Sequence, residues 1–396
     1  MGTVRRIAVV GAGLGGLAAA ITLRRKGFEV QVYEQAPQLA EFGAGINISP
    51  NSVKFFRAVG LGDRLHEVGS EPTGLSWRDW HTGEINYTLP FGDFEKRYGA
   101  KYYVVHRSDL HRLLAEAVPA TSIALAKRCT RVEIRNGTVG LSFDDGTSAE
   151  ADIVVGCDGI RSAVRSCVFG GEGPRYVGTM CWRALAPTDA LPEGYHDRYV
   201  NQWSGEGGFV ISYYIRQGKF VNFVAVRQQP GWTEQSWSVP STVDDMLAAF
   251  PDAGDKLRRM MGKATSCSKW GQFTGEHALQ WTKGRVTLLG DAAHAMLATF
   301  GQGANMAFED AYVLAEWLGA KADDPDAALA GYEAARKPRA TRVQQLSRAE
   351  VQFKKLHSDR DRLRRESAFM TEFGSTTDEV YRWIYGYDPV TQWQGG

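Results

Sequence analysis

The N-terminal part of the chain alternates between short apolar runs and one longer amphipathic stretch. Residues 7–10 form an unbroken apolar run that ends at Gly11, a pattern typical of a buried strand. Residues 14–26 carry apolar side chains at helical spacing before Gly27, which predicts a helix and its end. A second strand is predicted over residues 29–33. Strand, helix and strand in this order predict a parallel βαβ unit.

The middle of the chain predicts two kinds of sheet. Apolar runs at 151–156 and 285–289 predict further buried strands. From 176 to about 239, strand-like runs are joined by turns that contain Gly and Gln, which predicts an antiparallel sheet in a second domain. Residues 70–100 are rich in Trp, Tyr and Gly and predict a hairpin.

The C-terminal third is predicted to be helical over residues 303–321 and 326–355, and its tail from Glu366 shows no clear period. The expected fold is α/β: a discontinuous Rossmann-like cofactor domain with an inserted antiparallel β-sheet substrate domain and a helical C-terminal extension. The predicted boundaries are 1–70, 100–175 and 265–350 for the first domain, 71–99 and 176–264 for the second, and 351–396 for the extension.

Charge and composition argue against several classes of function. Lys plus Arg number 46 and Asp plus Glu 45, and a net charge of +1 argues against a nucleic-acid partner or a membrane-steering field. No apolar run approaches the roughly 18 residues that a transmembrane helix needs. The five cysteines include no C-x-x-C pair and the eight His are scattered, which predicts reduced thiols, a cytoplasmic location and no metal site.

The glycines after the first predicted strand have the spacing of a dinucleotide-binding loop. Gly11, Gly13 and Gly16 fill the pattern G-x-G-x-x-G between a strand and a helix. Glycine there allows a tight turn and a close approach of a pyrophosphate to the helix N-terminus. Glu34 follows the next strand and is placed to accept hydrogen bonds from a ribose. An acid at this position favours a free ribose, as in NAD or FAD, and the loop leaves the choice between them open.

Four further segments carry a resemblance to a known family. Residues 151–165, ADIVVGCDGIRSAVR, predict a strand, an Asp-Gly turn and a helix. Together with GDAAH at 290–294, HRSDL at 106–110 and GAGINISPN at 43–51, this run resembles the single-component FAD-dependent aromatic hydroxylases over about residues 5–350. Within that family the chain is similar to salicylate hydroxylases and 6-hydroxynicotinate 3-monooxygenases.

The resemblance implies FAD as a non-covalent cofactor, with NADH or NADPH as a transient co-substrate. Gly13, Gly15 and Glu34 would then hold the ADP half of FAD. Arg107 would meet its pyrophosphate or ribityl chain, with a surface salt bridge as the alternative. Asp291 would bond the ribityl hydroxyls, and Asp158 would lie near the flavin, where it could also cap a helix. The predicted cofactor-binding set is Gly13, Leu14, Gly15, Gly16, Glu34, Gln35, Gly45, Asn47, Arg107, Asp158, Asp291, Gly301, Gly303, Ala304 and Asn305.

The stretch between the GDAAH motif and the next helix is expected to lie at the flavin ring. Residues 301–305, GQGAN, precede a predicted helix, and a helix N-terminus stabilises the negative charge of a reduced flavin. His294 is expected to brace this loop rather than act as a base, because the chain has no G-x-S-x-G motif and Asp291–His294 shows no third partner. Relatives usually carry proline in this loop, where the present chain has Ala298.

The antiparallel sheet is expected to supply the wall of a substrate pocket. Alternate side chains of a strand share one face, so Phe209, Ile211 and Tyr213 point one way and Tyr214 the other. The resemblance favours Tyr213 as the pocket residue, and a core tyrosine is the alternative. Tyr213 and Asn47 are the candidate catalytic residues. Because an amide has no useful pKa, Asn47 is expected only to form hydrogen bonds.

The function that the resemblance implies is hydroxylation of a small phenolic or hydroxypyridine carboxylic acid. The reaction would use NAD(P)H and O2 and proceed through a flavin C4a-hydroperoxide. A flavin oxidase or reductase of a non-aromatic substrate and a non-catalytic flavin-binding regulatory protein are the alternatives. The expected partners are a small aromatic acid and O2, without nucleic acid or membrane, in a monomer or homodimer.

Overall fold

The computed structural model describes residues 5–39, 44–191, 197–232, 239–275, 280–353, 370 and 374–393. The end of the helix predicted over 326–355 and much of the extension predicted over 351–396 lie outside these ranges.

The strands in chain order are β1 Arg6–Val10, β2 Glu29–Tyr33, β3 Gly45–Ile48, β4 Gly69–Ser70, β5 Gly74–Asp79, β6 Ile85–Pro90, β7 Tyr103–His106, β8 Ile123–Ala124, β9 Cys129–Ile134, β10 Val139–Phe143, β11 Ser148–Ala151, β12 Ile153–Gly156, β13 Arg175–Pro187, β14 Tyr199–Gly205, β15 Gly208–Ile215, β16 Phe220–Gln228, β17 Val239–Pro240, β18 Ser266–Thr274, β19 Thr282–Lys283 and β20 Val286–Leu288. The helices are α1 Leu14–Arg25, α2 Pro50–Ala58, α3 Gly62–Val68, α4 Phe94–Tyr98, α5 Arg107–Glu116, α6 Ala163–Val168, α7 Val243–Ala249, α8 Asp255–Met261, α9 Asp291–His294, α10 Gly303–Ala320, α11 Pro325–Phe353 and α12 Thr377–Gly386.

Two large sheets organise the described part of the chain. The first has the strand order β19-β20-β12-β1-β2-β8, parallel from β20 to β8 with β19 antiparallel at its edge. The predicted βαβ unit is β1, α1 and β2. The second sheet has the order β17-β18-β13-β16-β15-β14-β5-β6 and is antiparallel except for the β14–β5 pair. The predicted mixed α/β fold is therefore confirmed, and the hairpin predicted near 70–100 is β5–β6.

One predicted boundary disagrees with the sheet membership. β18 pairs along β13 in the second sheet, although residues 265–350 were assigned to the first domain. Its sequence contains Ser266, Ser268 and Lys269 and gives no apolar alternation, so the pairing depends on a distant partner strand. The boundary moves to the end of β18, and the division into domains stays a prediction.

The tail also contains an element that was not predicted. α12 begins with a capping box, in which Thr376 accepts from the Glu379 N–H and Glu379 accepts from the Thr376 N–H. This pair satisfies N–H groups that a helix start leaves without partners. The signal was present in the sequence, but the aromatic residues of the tail obscured the period.

Helices α1 and α10 pack together against the first sheet. Alanines 18, 19 and 20 of α1 have no exposed surface, and their small side chains let the two helices approach closely. Thr22 Oγ1 donates to the Ala311 carbonyl of α10 across this contact, at 2.9 Å. The packing fixes the position of α10, whose N-terminus holds the predicted flavin-edge residues.

A buried ion cluster joins α10 to α11. Glu309 and Asp310 have no exposed side-chain surface, and neither has Arg336, which lies 2.7 Å from Glu309 and 2.8 Å from Asp310. Arg339 adds a second pair to Glu309 at 2.8 Å. Burial alone would raise the pKa of Glu309 and Asp310, but the arginines, with His294 at Asp310, outweigh it and hold both pKa values below their ordinary range. Both carboxylates therefore stay charged in the core.

We expect Arg336→Met to destabilise the protein by about 3–5 kcal/mol, because it removes the buried guanidinium that two buried carboxylates share. The measurement is urea unfolding of the purified protein. Arg259→Met is the matched control: it breaks an exposed pair with Asp255, which should change the free energy of unfolding by no more than about 0.5 kcal/mol. Equal effects of the two substitutions would contradict the role given to the cluster.

Candidate functional site

The carboxyl ends of four parallel strands bring the predicted cofactor residues to one edge of the first sheet. The strand order β20-β12-β1-β2 places Asp291, Asp158, the glycine loop and Glu34 after consecutive strands. Ligands of open parallel sheets bind outside this edge, because the loops there converge. Residues that are far apart in the sequence therefore meet along one line.

The three fingerprint glycines have different roles. A Cβ at Gly16 would overlap the carbonyl oxygen of Gly11, and one at Gly11 would lie 2.5 Å from the Cys157 oxygen, so these two permit the packing of the loop itself. Gly13 has nothing within 4 Å of an added Cβ and faces open space. It is also the N-cap of α1, which has no side-chain cap and no acid in its first turn. The free N–H groups beside Gly13 suit a pyrophosphate.

The neighbouring predicted residues fit this loop in different ways. Leu14 is buried in the core, and Gly15 packs against Leu289 and Ala307, so both can offer only backbone to a ligand. Glu34 accepts hydrogen bonds from the N–H groups of Ala12 at 2.7 Å and Ala36 at 2.9 Å, which fixes its carboxylate beside the loop. Gln35 is exposed next to it.

Asp158 caps the turn before α6. Its carboxylate accepts from the Ser162 hydroxyl and, at 3.1 Å, from the Val164 N–H. Burial raises the pKa of this carboxyl. The capping role is thus present in the structure, and the contact with the flavin stays a prediction.

Asp291 and Arg107 line one end of a cavity between the two large sheets. Burial raises the pKa of the Asp291 carboxyl, and the nearby charges of His294, Arg107 and Arg165 oppose that rise. A carboxyl and a guanidinium so close together can bond hydroxyl groups and a phosphate respectively. The resemblance implied that Asp291 bonds the ribityl hydroxyls and that Arg107 meets the pyrophosphate or ribityl chain, and the geometry suits both uses.

The loop before α10 is held in a conformation that needs glycine. Gly301 has φ +63°, and a Cβ there would overlap the side chain of Asn47. Asn47 Nδ2 donates to the Gly301 carbonyl at 3.1 Å, and Asn305 Nδ2 donates to the same oxygen at 2.8 Å. Asn305 is fully buried and is a brace, whereas Gly303 and Ala304 line the cavity. α10 has no side-chain cap and its first residues line the cavity, so the positive pole of the helix lies at this end.

The segment 295–300, where the resemblance led us to expect a proline, is fixed by hydrogen bonds to α11. Gln344 Nε2 donates to the Ala295 carbonyl at 2.6 Å, and Thr299 Oγ1 donates to the Ser347 carbonyl at 2.9 Å. Ala298 lies between these two anchors and lines the cavity.

His294 braces the loop, as predicted, and it has a partner that the sequence did not reveal. Its Nε2 lies 2.5 Å from Asp310 Oδ2, and that oxygen also accepts from the Gly290 N–H at 3.2 Å. His294 is buried, and its ring centre lies 5.3 Å from that of Trp281, with the two rings tilted relative to each other. The expectation that it lacks a third partner was wrong, because Asp310 comes from the next helix.

A cavity of about 250 Å³ joins this loop to the second sheet. Phe209, Ile211 and Tyr213 of β15 line it together, as the alternation predicted, while Tyr214 packs on the opposite face. The Tyr213 ring lies against the backbone of Gly45, where a Cβ would displace it. Burial raises the pKa of Tyr213 far above its ordinary value, so its phenol stays protonated at neutral pH.

Several wall residues were not singled out from the sequence. They come from β5, β13, β14, the segment before β7 and α12, and are Trp77, Arg183, Gln202, Tyr102, Tyr381 and Tyr385. Strand alternation could have suggested Arg183 and Gln202. The two tyrosines of α12 could be identified as wall residues only once the position of that helix against the cavity was known.

Comparison with known proteins agrees with this geometry. A family model described as FAD binding domain matches residues 5–347. The chain belongs to this family.

Its relatives are aromatic monooxygenases. It is 40% identical over 385 residues to the 3-amino-4-hydroxybenzoate 2-monooxygenase of Streptomyces platensis, which covers 97% of this chain and 96% of that one. It is 39% identical over 346 residues to the 6-hydroxynicotinate 3-monooxygenase of Pseudomonas fluorescens, covering 86% and 90%. The structure of a salicylate hydroxylase substrate complex superimposes with a TM-score of 0.84 at 27% identity, covering 99% and 98%.

The protein is therefore a flavoprotein monooxygenase of the aromatic hydroxylase type. FAD is its cofactor, and NAD(P)H is the co-substrate typical of these enzymes. Among the described residues, no helix is long and apolar enough to span a membrane, and no group of three or more His, Cys, Asp or Glu side chains forms a metal site.

We expect Gly13→Val to lower FAD affinity at least 10-fold and leave the stability of the FAD-free protein unchanged, because the added side chain fills only the space meant for a ligand. FAD titration and thermal unfolding of the FAD-free protein measure the two effects. Gly16→Val is the matched control and should lower the unfolding midpoint itself, since its side chain would overlap Gly11. Retention of full FAD occupancy by Gly13→Val would sink the assignment of the loop.

Proposed function

We propose that this monooxygenase hydroxylates a small phenolic or hydroxypyridine carboxylic acid, using NAD(P)H and O2. The observation that carries the proposal is that one cavity contains both the backbone loop suited to a flavin edge and an apolar sheet wall bearing Tyr213. A planar ring placed in this cavity would lie between the two.

The substrates named for relatives support this class. The first relative is named for an aminohydroxybenzoate and the second for hydroxynicotinate. Both names describe an aromatic ring with a hydroxyl and a carboxylate. Phe209, Ile211 and Val200 give the present cavity apolar walls that suit such a ring.

The chain's own residues would hold the cofactor in three places. The Gly13 loop and Glu34 would bind its ADP half, Arg107 and Asp291 its ribityl pyrophosphate, and residues 301–304 its pyrimidine edge. When bound, FAD takes electrons from NAD(P)H and activates O2 for transfer of one oxygen atom to the substrate. The positive pole of α10 would stabilise negative charge at the ring edge.

Tyr213 would orient the substrate hydroxyl rather than remove its proton. A tyrosine phenol is protonated at neutral pH and burial raises the pKa of Tyr213 further, so it would donate a hydrogen bond to the substrate oxygen. That bond favours the ionised form of the substrate hydroxyl, and ionisation makes the ring more nucleophilic. Asn47 would act indirectly, since its amide holds the Gly301 carbonyl. The apolar walls would exclude water from the reacting atoms.

A screen of hydroxylated benzoates and pyridine carboxylic acids for stimulated NAD(P)H oxidation tests the proposal. We expect at least one acid to raise the oxidation rate and to yield a product that carries one atom from ¹⁸O2 by mass spectrometry. Stoichiometric H2O2 without a hydroxylated product for every acid would favour a flavin oxidase. FAD-loaded protein with no stimulated NAD(P)H oxidation would favour a regulatory role.

Tyr213→Phe should lower kcat about 10²-fold with the best substrate, because it removes a positioned hydrogen-bond donor. FAD affinity should not change, since Tyr213 lies on the substrate side of the cavity. Tyr214→Phe is the matched control on the opposite face of β15 and should retain kcat within about 3-fold. Steady-state kinetics with product quantification distinguishes the two, and equal kcat values would remove Tyr213 from the reaction.

A further inference from the structure

The charged side chains of the cavity are divided between its two walls. Among the described lining residues these are Arg107, Asp291 and Arg183. Arg107 and Asp291 interact with each other at the end where the parallel strands converge. Arg183 belongs to β13 in the second sheet, so it is the charge that the substrate wall contributes.

The strand register places Arg183 in a row of side chains that crosses the sheet. Arg183 is opposite Val224, Val224 is opposite Ile211, and Ile211 is opposite Gln202. All four line the cavity. The row thus has a cation at one end, apolar side chains in the middle and an amide beyond them.

Tyr213 lies in the neighbouring row of the same face, where it is opposite Asn222. β13 and β15 are separated by β16, so the two backbones are roughly 10 Å apart across the sheet. Arg183 is nevertheless close enough for its charge to act on the Tyr213 phenol. The wall therefore offers a hydroxyl and a guanidinium to one molecule, with apolar surface between them.

An aromatic ring fixes the orientation of the Arg183 guanidinium. Its Cζ lies 4.5 Å from the centre of the Trp270 ring, and Trp270 is buried on β18. A guanidinium held over an aromatic ring can still donate hydrogen bonds, because its N–H groups point outward in its own plane. Such an edge matches the two oxygens of a carboxylate.

We propose that Arg183, stacked on Trp270, binds the carboxylate of the substrate and selects acids over their neutral amides. This inference rests on the proposed function and extends it by naming the group recognised and the residue that recognises it. A ring acid held here would direct its carboxylate to Arg183 and its hydroxyl to Tyr213. A carboxamide is a poorer partner, because it carries no charge and replaces one acceptor oxygen with an N–H donor.

The test compares acid and amide pairs in the FAD-loaded enzyme. Salicylate with salicylamide and 6-hydroxynicotinate with 6-hydroxynicotinamide are titrated, with the change in flavin absorbance as the readout of binding. We expect the wild type to prefer at least one acid by about 10- to 100-fold, the range of a charge-assisted hydrogen bond. Arg183→Gln should abolish the preference by weakening the acid, and Arg183→Lys should retain part of it.

Arg227→Gln is the matched control. Arg227 also stacks on a tryptophan, Trp80, but lies on the other face of the sheet beside Asp252. It should retain the preference for the acid. FAD content and the thermal midpoint of each variant report whether the fold is intact.

Two results would overturn the proposal. One is an Arg183→Gln enzyme with full FAD content and the wild-type preference for the acid. The other needs no variant: a wild type that binds both amides as tightly as their acids. Binding is measured without turnover, so the two proposals can fail separately. A wild type that hydroxylates no acid counts against the proposed function, whereas the binding data alone test the role of Arg183.

Discussion

Glu309 and Asp310 are consecutive carboxylates with no exposed side-chain surface. The ion pairs and hydrogen bonds that they form with other elements fix the structure around the cavity. Asp310 receives Arg336 and His294, which ties α10 to the loop after β20. Glu309 receives Arg339 and Asn51, which ties it to α11 and α2. Arg339 also donates to the carbonyl of Ile384, in the helix that carries two wall tyrosines. Since a buried charge is tolerated only when paired, none of these elements can shift independently at low cost.

The residues predicted for the cofactor end come together in the structure because the sequence signals for them are local. The glycine loop sits between a strand and a helix that are contiguous with it, and Glu34 follows the next strand. Parallel pairing then brings Asp158 and Asp291 to the same edge without further assumptions. Alternation along β15 showed that only one of Tyr213 and Tyr214 could face the cavity, and the resemblance to the family favoured Tyr213, which is the one that lines it.

What the sequence could not provide depends on contacts between distant segments. Arg336 and Arg339 look like part of a solvated, charged helix until α11 is placed on α10. β18 is polar enough to pass for a loop, and its place is set by a long pairing with β13. The partner of His294 could not be identified because Asp310 lies 16 residues further along the chain, on the following helix. In each case the missing information was which element packs against which.

The two walls of the cavity differ in the kind of chemistry that they contribute. On the cofactor side the groups offered are chiefly backbone N–H donors and the space left by glycine, at Gly13 and Gly301. Such groups would recognise phosphate and a flavin edge whatever the substrate is, and they leave a recurring sequence motif. On the substrate side the groups are single side chains whose positions follow from strand register, as for Tyr213 and Arg183. On the proposed function, one substitution on that face would change what is recognised without disturbing the motif. The family can therefore be recognised from short segments of sequence. The substrate has to be inferred from the side chains that face the cavity in rows across the antiparallel sheet.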